Sequence, residues 1–169
     1  SMGIPRVTVQ RRMNLAALRE ARKAAGEAGR APSWTAVFTL AYARLAQEYP
    51  DLRRAFLRWP RPHLYEYPAS IASIAFEREI GGERAVLLGR IKAPETRSLA
   101  EIDAMIRHYR ETPVADIPEF ARALRVARLP GFLRRMMMGL AYQSGRQRAN
   151  YFGTFQFSVY SGLGAESFN

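Results

Sequence analysis

The chain has 169 residues and a formal net charge of +11, and 48% of its residues are hydrophobic. This length and apolar content are typical of one globular domain with a buried core. The sequence contains no cysteine, which excludes disulfides, thiolate metal sites and cysteine nucleophiles. No apolar run approaches the roughly 20 residues that a membrane-spanning helix needs, and we therefore expect a cytoplasmic protein.

Two predicted helices dominate the first third of the chain. Alternation at Val7 and Val9 predicts a short strand over residues 6–10, and Asn14 is placed to cap a helix that ends near residue 25. Ser33 caps a second helix, which Pro50 ends. Its apolar stripe is expected to comprise Trp34, Val37, Phe38, Ala41 and Leu45. Residues 52–57 are expected to form a helical turn or a strand, and the proline-rich residues 59–62 an irregular segment.

The middle of the chain predicts a β-hairpin followed by a helix. Residues 69–79 and 84–92 have strand character and flank Gly81 and Gly82. Residues 85–88 are apolar at every position, which is typical of a central strand. The capping box Ser98-Leu-Ala-Glu101 then opens a helix, whose predicted apolar stripe comprises Leu99, Ile102, Met105, Ile106 and Tyr109.

Two more helices are predicted, over residues 118–128 and 131–143, between proline-containing breaks. Helices and strands mixed in this order predict an α+β fold in a single domain. Neither histidine begins a metal-ligand spacing: His63 is expected in a loop and His108 on a helix in a structural role. Glu77, Glu79 and Glu83 flank the hairpin, and Arg78 and Arg84 are their expected cross-strand partners.

Arginine supplies almost all of the positive charge, and near the C-terminal end it occurs without acidic neighbours. Residues 120–165 include no acidic residue. Three interpretations are open: a basic surface for a membrane or polyanion, a basic rim for a phosphorylated cofactor, or helices that bury their methionines and solvate their arginines. The arginines in this region are Arg122, Arg125, Arg128, Arg134, Arg135, Arg146 and Arg148.

The most informative segment is the predicted strand at residues 154–160. Its apolar residues Phe155, Phe157 and Val159 share one face. The other face carries Thr154, Gln156, Ser158 and Tyr160. Ser158 lies just before a glycine-rich turn, where a side chain can reach a ligand. The alternative is an ordinary edge strand with a solvated polar face.

Four segments in this order resemble the catalytic domain of the 2-oxoacid dehydrogenase acyltransferases, which share a fold with chloramphenicol acetyltransferase. They are VTVQRRMNLAALREAR at 7–22, PSWTAVFTLAYARLAQEYPDLRRAF at 32–56, the hairpin region at 65–92 with SLAEID at 98–103, and GTFQFSVYSGLGAESF at 153–168. The basic region at about 111–150 departs from the family pattern. The resemblance implies a chloramphenicol acetyltransferase-like mixed sheet flanked by helices, as one acyltransferase-like domain over 1–169.

The resemblance also implies a function and a site. Family members transfer an acyl group from a thioester, commonly of coenzyme A, to an acceptor, in a site between the subunits of a homotrimer. Ser158 matches the serine that stabilises the oxyanion, Thr154, Gln156 and Tyr160 become substrate-binding candidates, and Arg146 and Arg148 become candidates for the coenzyme A phosphates. We expect no metal and no covalent lipoyl group.

The general base of the family, a histidine in a His-x-x-x-Asp motif, has no counterpart here. The fourth residue after His63 is Tyr67, and the fourth after His108 is Thr112. We therefore expect the domain to be incomplete at its C-terminus, with the base on a missing segment or a second polypeptide. The alternative is a catalytically inactive relative that acts as an oligomeric binding module for a polyanion, such as nucleic acid, or for a membrane surface.

Overall fold

A computed structural model describes residues 9, 11–27, 29, 31–57, 61–143 and 145–158, with the backbone alone for 140–143 and 145–147. The described residues fall into two compact units, one within 1–32 and one within 33–169. The strand expected at 6–10, apart from Val9, lies outside the described residues, as does everything after Ser158, including Tyr160.

The first unit contains one helix, α1 (Ala16–Glu27), in its described part. The side chain of Asn14 caps it, since its Oδ1 accepts a hydrogen bond from the backbone N–H of Ala16 at 3.0 Å. Arg22 donates from Nε to the carbonyl oxygen of Pro32 at 2.6 Å. The predicted cap and helix are confirmed.

The second unit is α+β, with helices flanking a mixed sheet. Its described helices are α2 (Trp34–Glu48), α3 (Leu99–Glu111), α4 (Pro118–Ala127), α5 (Gly131–Gln143) and α6 (Gly145–Phe152), with short 3₁₀ turns at Pro50–Arg53, Pro94–Thr96 and Val114–Asp116. Its described strands are β1 (Arg54–Leu57), β2 (His63–Glu66), β3 (Ile71–Ile80), β4 (Glu83–Lys92) and β5 (Phe155–Phe157). The sequence pattern did not predict α6 or β2.

Strands β3 and β4 form the predicted hairpin. They pair antiparallel over their full length, from Ile71 opposite Lys92 to Ile80 opposite Glu83. The two-residue turn has φ of 61° at Gly81 and 84° at Gly82. Both values lie in the left-handed region that a type I′ turn requires and that glycine adopts without strain. The Gly-Gly pair therefore sets the register of the hairpin.

The strand order β4-β3-β5 corrects the expectation that residues 85–88 form a central strand. Among the described strands β3 is central, pairing antiparallel with β4 and parallel with β5. Strand β4 lies at an edge of the sheet that the described strands form, and Val86 is 67% exposed. Its continuous apolar run reflects a groove described below, rather than burial between two neighbouring strands.

The buried face of α2 differs from the expected stripe. Leu45 is 44% exposed, and Trp34 and Phe38 are only half-buried, with ring centroids 6.1 Å apart. The residues that are buried are mostly small: Thr35, Ala36, Thr39, Leu40, Ala43 and Ala46. Small side chains let the backbone of α2 approach its neighbours closely. The helix therefore buries the face that carries these small residues and not the face that carries the larger apolar ones.

Helix α3 confirms both its predicted cap and its predicted core residues. Ser98 Oγ accepts from the backbone N–H of Glu101 at 3.2 Å, and Glu101 accepts in return from the backbone N–H of Ser98 at 2.8 Å. The hydrogen bonds that the Glu101 carboxylate accepts from Ser98, one from the backbone N–H and one from the hydroxyl, lower the pKa of this carboxyl group. Ile102, Ile106 and Tyr109 are buried in the main hydrophobic cluster. Helix α3 therefore packs against the sheet through the apolar stripe that was predicted from the sequence.

Arg78 has a different role from the one expected of it. Its guanidinium donates to the carbonyl oxygens of Tyr109 at 2.7 Å, Arg110 at 2.9 Å and Thr112 at 2.8 Å. These carbonyls lie at the C-terminal end of α3, where backbone acceptors lack intrahelical donors. Arg78 thus fastens α3 to β3 and is not a cross-strand partner of the glutamates, whereas Arg84 does contact Glu77 at 3.3 Å.

The segment containing His63 is a strand and not a loop. Strands β1 and β2 pair antiparallel, with Leu57 opposite His63 and Arg54 opposite Glu66. Arg54 donates from Nε to Glu66 Oε2 at 3.0 Å. Because β2 has only four residues and follows prolines, its sequence pattern is too short to distinguish it from irregular structure.

Substitution Gly89→Ala is expected to lower the free energy of unfolding by about 1–3 kcal/mol, because overpacking forces the surrounding side chains to shift. A Cβ at this position would lie 2.7 Å from Phe76 Cε2 and 2.8 Å from the Tyr109 ring. Urea unfolding monitored by circular dichroism measures the change.

The matched control is Gly139→Ala on α5, where a Cβ would meet nothing within 4 Å. Alanine is favoured over glycine in a helix interior by about 1 kcal/mol, so this variant should be at least as stable as the parent. Equal destabilisation by the two substitutions would contradict the packing described at Gly89.

Candidate functional site

Strand β5 is attached to the sheet by the residues that precede it. Gly153 has φ of 76°, which turns the chain from α6 into the strand. The backbone N–H of Thr154 donates to the carbonyl oxygen of Ile71 at 2.8 Å, and the backbone N–H of Ile71 donates to Thr154 Oγ1 at 2.9 Å. The hydroxyl of Thr154, a candidate substrate ligand, is therefore engaged by the backbone of β3.

The alternation expected along this strand is observed in its described part. Phe155 and Phe157 are half-buried, and their rings lie 4.4 Å and 6.2 Å from the ring of Tyr42. Gln156 and Ser158 are exposed. Ser158 follows the last residue of β5, so the sheet fixes the backbone just before an exposed serine.

The arginines expected to hold a cofactor lie on α6. Arg148 donates from Nη1 to the carbonyl oxygen of Phe56, the distance being 3.4 Å, and it is half-buried. Its guanidinium therefore lies against β1. The side chain of Arg146 lies outside the described residues.

Both histidines have local partners. His63 Nδ1 lies 2.6 Å from the carbonyl oxygen of Arg61, and His108 Nδ1 lies 2.9 Å from Thr112 Oγ1. Both side chains are exposed. Within the described part of the chain, no three histidine or acidic side chains are grouped closely enough to hold a metal ion.

A basic cavity of about 490 Å³ lies at the end of β4, against α3 and α4. We call it the basic cavity; its wall includes Arg90, Lys92, Arg97, Tyr109, Glu119 and Arg122. Four of these residues are cations and one is an acid. None of the four cations forms an ion pair with a carboxylate that the structure describes. The cavity is therefore suited to an anion.

Backbone carbonyls hold two of these guanidinium groups in place. Arg90 donates from Nη1 to the carbonyl oxygen of Asn150. Arg97 donates from Nε to the carbonyl oxygen of Lys92, at 3.0 Å. A guanidinium carries five N–H donors, so each retains donors for a ligand. Two of the four cations are thus oriented before any anion binds.

Tyr109 and Glu119 form the neutral and acidic part of the wall. The Tyr109 hydroxyl donates to the carbonyl oxygen of Arg90 at 3.0 Å and lies 3.4 Å from Glu119 Oε1. Burial is the main reason that the pKa of the Tyr109 phenol is raised, and the negative charge of Glu119 adds to this effect. The phenol therefore remains protonated at neutral pH and acts as a hydrogen-bond donor to the end of β4.

A second, apolar groove of about 310 Å³ lies along the edge of β4, against α4, α5 and α6. We call it the apolar groove; its wall includes Leu87, Leu88, Val126, Met137, Met138 and Phe152. Four residues line both the groove and the basic cavity: Arg90, Glu119, Arg122 and Tyr151. The two spaces therefore adjoin, with a charged mouth at one end and an apolar wall beyond it.

Sequence reasoning did not find the basic cavity, although part of the signal was present. Arg90 and Lys92 are two residues apart on a strand, which places them on one face. Arg97 and Arg122 join them only through the packing of α3 and α4 against β4. Of the basic C-terminal region, Arg122 and Arg134 line these spaces, and Ser158 lines neither the basic cavity nor the apolar groove.

Comparison of the sequence with protein-family models and with curated proteins found no match. None of the described helices has both the length and the apolar character required to cross a membrane.

Substitution Tyr109→Phe is expected to lower the free energy of unfolding by about 1 kcal/mol at neutral pH, since the carbonyl oxygen of Arg90 loses its donor. The pKa of Tyr109 is raised in the folded protein above the ordinary value of 10.0. The stabilisation from protonated Tyr109 is therefore complete below about pH 10 and is lost as the pH rises through the folded-state pKa.

Urea unfolding at pH 7 to 11 measures this difference. The stability of the parent should fall towards that of Tyr109→Phe at high pH. If the difference in unfolding free energy between the parent and Tyr109→Phe stayed the same up to pH 11, the hydrogen bond assigned to the protonated phenol of Tyr109 would be contradicted. Tyr67→Phe is a comparison variant: because burial also raises the pKa of Tyr67, the parent should lose stability relative to this variant as well at high pH, although Tyr67 lines neither the cavity nor the groove.

Proposed function

We propose that this chain is an acyltransferase domain that moves an acyl group from a coenzyme A thioester to an acceptor, with Ser158 stabilising the oxyanion. The observation that carries the proposal is the exposed position of Ser158 at the end of β5. Its support is the resemblance of the 153–168 segment to the strand and turn of the acyltransferases, together with a mixed sheet flanked by helices. The proposed fold is therefore chloramphenicol acetyltransferase-like.

In the proposed reaction, a nucleophile of the acceptor attacks the thioester carbonyl carbon, whose oxygen becomes negatively charged. A hydroxyl that is already oriented stabilises that charge without having to reorganise. The tetrahedral species then collapses with loss of the coenzyme A thiolate. Pairing of β5 with β3, from Ala72 opposite Phe155 to Ile74 opposite Phe157, fixes the backbone immediately before Ser158.

The general base, which takes the proton of the attacking nucleophile and can pass it to the leaving thiolate, is proposed to come from outside the described residues. His63 and His108 each have a partner close by in sequence and lie on β2 and α3. An exposed Ser158 is compatible with a site that a neighbouring subunit completes, and a homotrimer is the proposed assembly. The phosphates of coenzyme A are proposed to contact Arg146 and Arg148, because α6 leads directly into β5. No metal and no lipoyl group take part.

Substitution Ser158→Ala should lower kcat by roughly 10²-fold with little change in stability, because one oxyanion donor is lost. Release of the coenzyme A thiol from acetyl-coenzyme A, with water or a panel of alcohols and amines as acceptors, can be followed with a thiol-reactive chromophore. The protein contributes no background, because it contains no cysteine.

Two further variants sharpen this test. Gln156→Ala, on the same exposed face, should raise KM and leave kcat nearly unchanged. Thr112→Ala removes a hydroxyl at the end of α3 that bonds His108 and should change neither parameter. An unchanged kcat in active Ser158→Ala protein would remove Ser158 from the mechanism, and a parent chain that neither binds coenzyme A nor releases its thiol would overturn the proposed function.

A further inference from the structure

The basic cavity and the apolar groove together form a binding site that the proposed acyltransferase reaction does not use. Ser158 lines neither space. Volumes of about 490 Å³ and about 310 Å³ are within the range of about 300–1,000 Å³ that is typical of small-molecule sites. We propose that these adjoining spaces bind a single-chain amphiphile with a phosphate headgroup, the phosphate in the basic cavity and the chain in the apolar groove.

The charges of the cavity determine the headgroup. Arg90, Lys92, Arg97 and Arg122 converge on one space, and among the described residues of its wall only Glu119 is acidic. Like charges held together raise the free energy of the empty site, and an anion lowers it. A phosphate monoester approaches two negative charges at neutral pH and accepts several hydrogen bonds, so it matches several cations better than a carboxylate does.

The orientation of the guanidinium groups favours phosphate as well. Arg90 and Arg97 are each held by one backbone carbonyl oxygen, and their remaining N–H groups form a planar fork. Such forks bind phosphate oxygens in pairs. Arg122 is exposed and lines both spaces, which places its charge where the headgroup and the chain of a ligand would meet.

The groove determines the rest of the ligand. Leu87, Val126 and Met137 are among the apolar side chains of its wall, and half-buried Met137 and Met138 can adapt to a flexible chain. A phosphate alone would leave this wall in water, and an uncharged chain would leave the cations without a counter-ion. The continuity of the two spaces through Arg90, Arg122 and Tyr151 therefore favours one molecule that has both parts.

Calorimetric titration of the full chain with lauroyl-lysophosphatidate below its micellar concentration tests the proposal. Arg122→Gln should weaken binding by roughly tenfold or more, which is the usual effect of losing a charge-assisted hydrogen bond. Arg125→Gln removes the same charge from the same helix outside both spaces. It should leave the affinity nearly unchanged, because distant surface charge is screened.

A second pair of variants tests the groove. Lengthening the acyl chain should raise the affinity of the parent by roughly threefold to fourfold per methylene until the groove is filled. Met137→Gln should reduce this increment. Met136→Gln, one residue away and 58% exposed, should not.

The other ligands in the experiment distinguish the sources of binding. Glycerol phosphate, lauroyl glycerol and laurate should each bind more weakly than lauroyl-lysophosphatidate. Equal or tighter binding of any of them, or of lauroyl-coenzyme A, would overturn the proposal in favour of that chemistry. Equal losses of affinity in Arg122→Gln and Arg125→Gln would overturn the proposal in favour of non-specific attraction to the positive surface. Tighter binding to phosphatidate vesicles than to the single-chain ligand, unaltered by either substitution, would overturn it in the same way. Loss of turnover in Ser158→Ala does not bear on this site.

Discussion

Two aromatic rings pack directly over Gly89 in the middle of β4, and their approach determines where the elements around the cavity lie. The rings of Phe76 and Tyr109, with centroids 5.6 Å apart, occupy the space that a side chain at this position would need. Because Tyr109 lies so close to the strand, its hydroxyl reaches the carbonyl oxygen of the next residue, Arg90. The same hydroxyl lies near Glu119 at the start of α4. Tyr109 therefore belongs both to the hydrophobic core and to the wall of the basic cavity.

The large positive charge divides between two physical roles. Arg53 and Arg78 donate to backbone carbonyl oxygens that secondary structure leaves without donors: those of Ala46, Tyr67 and Pro68 for Arg53, and those at the end of α3 for Arg78. These arginines stabilise the fold and do not remain available for a partner. The four cations of the basic cavity differ, because they line one common space, and Arg90 and Arg97 each donate to one backbone carbonyl oxygen and retain further N–H groups. Composition alone does not separate these roles, since both use the same residue type.

Local chemistry made the hairpin, the caps and most helices predictable from the sequence. Two adjacent glycines specify a type I′ turn, and Ser98 with Glu101 specifies a helix start, without help from the rest of the chain. The buried face of α2 and the edge position of β4 depend instead on what packs against them. Alternation at residues 155–158 predicted that Ser158 is exposed. The same pattern does not distinguish a parallel from an antiparallel neighbouring strand, so the parallel pairing of β5 with β3 could not be predicted. The basic cavity joins residues from β4, α3, α4 and α6 with Arg97, which precedes α3, and no single segment contains it.

Parallel pairing of β5 with β3 also affects the order in which the sheet can form. The hairpin of β3 and β4 is closed by two residues, whereas β5 reaches β3 only after α3 to α6 have been made. During synthesis on the ribosome, the hairpin can therefore fold while the opposite edge of β3 still lacks β5. An open strand edge invites pairing with other chains, and contacts distant in sequence form slowly. The inner edge of β3 in the nascent protein thus stays open to other chains until residues 155–157 emerge and dock.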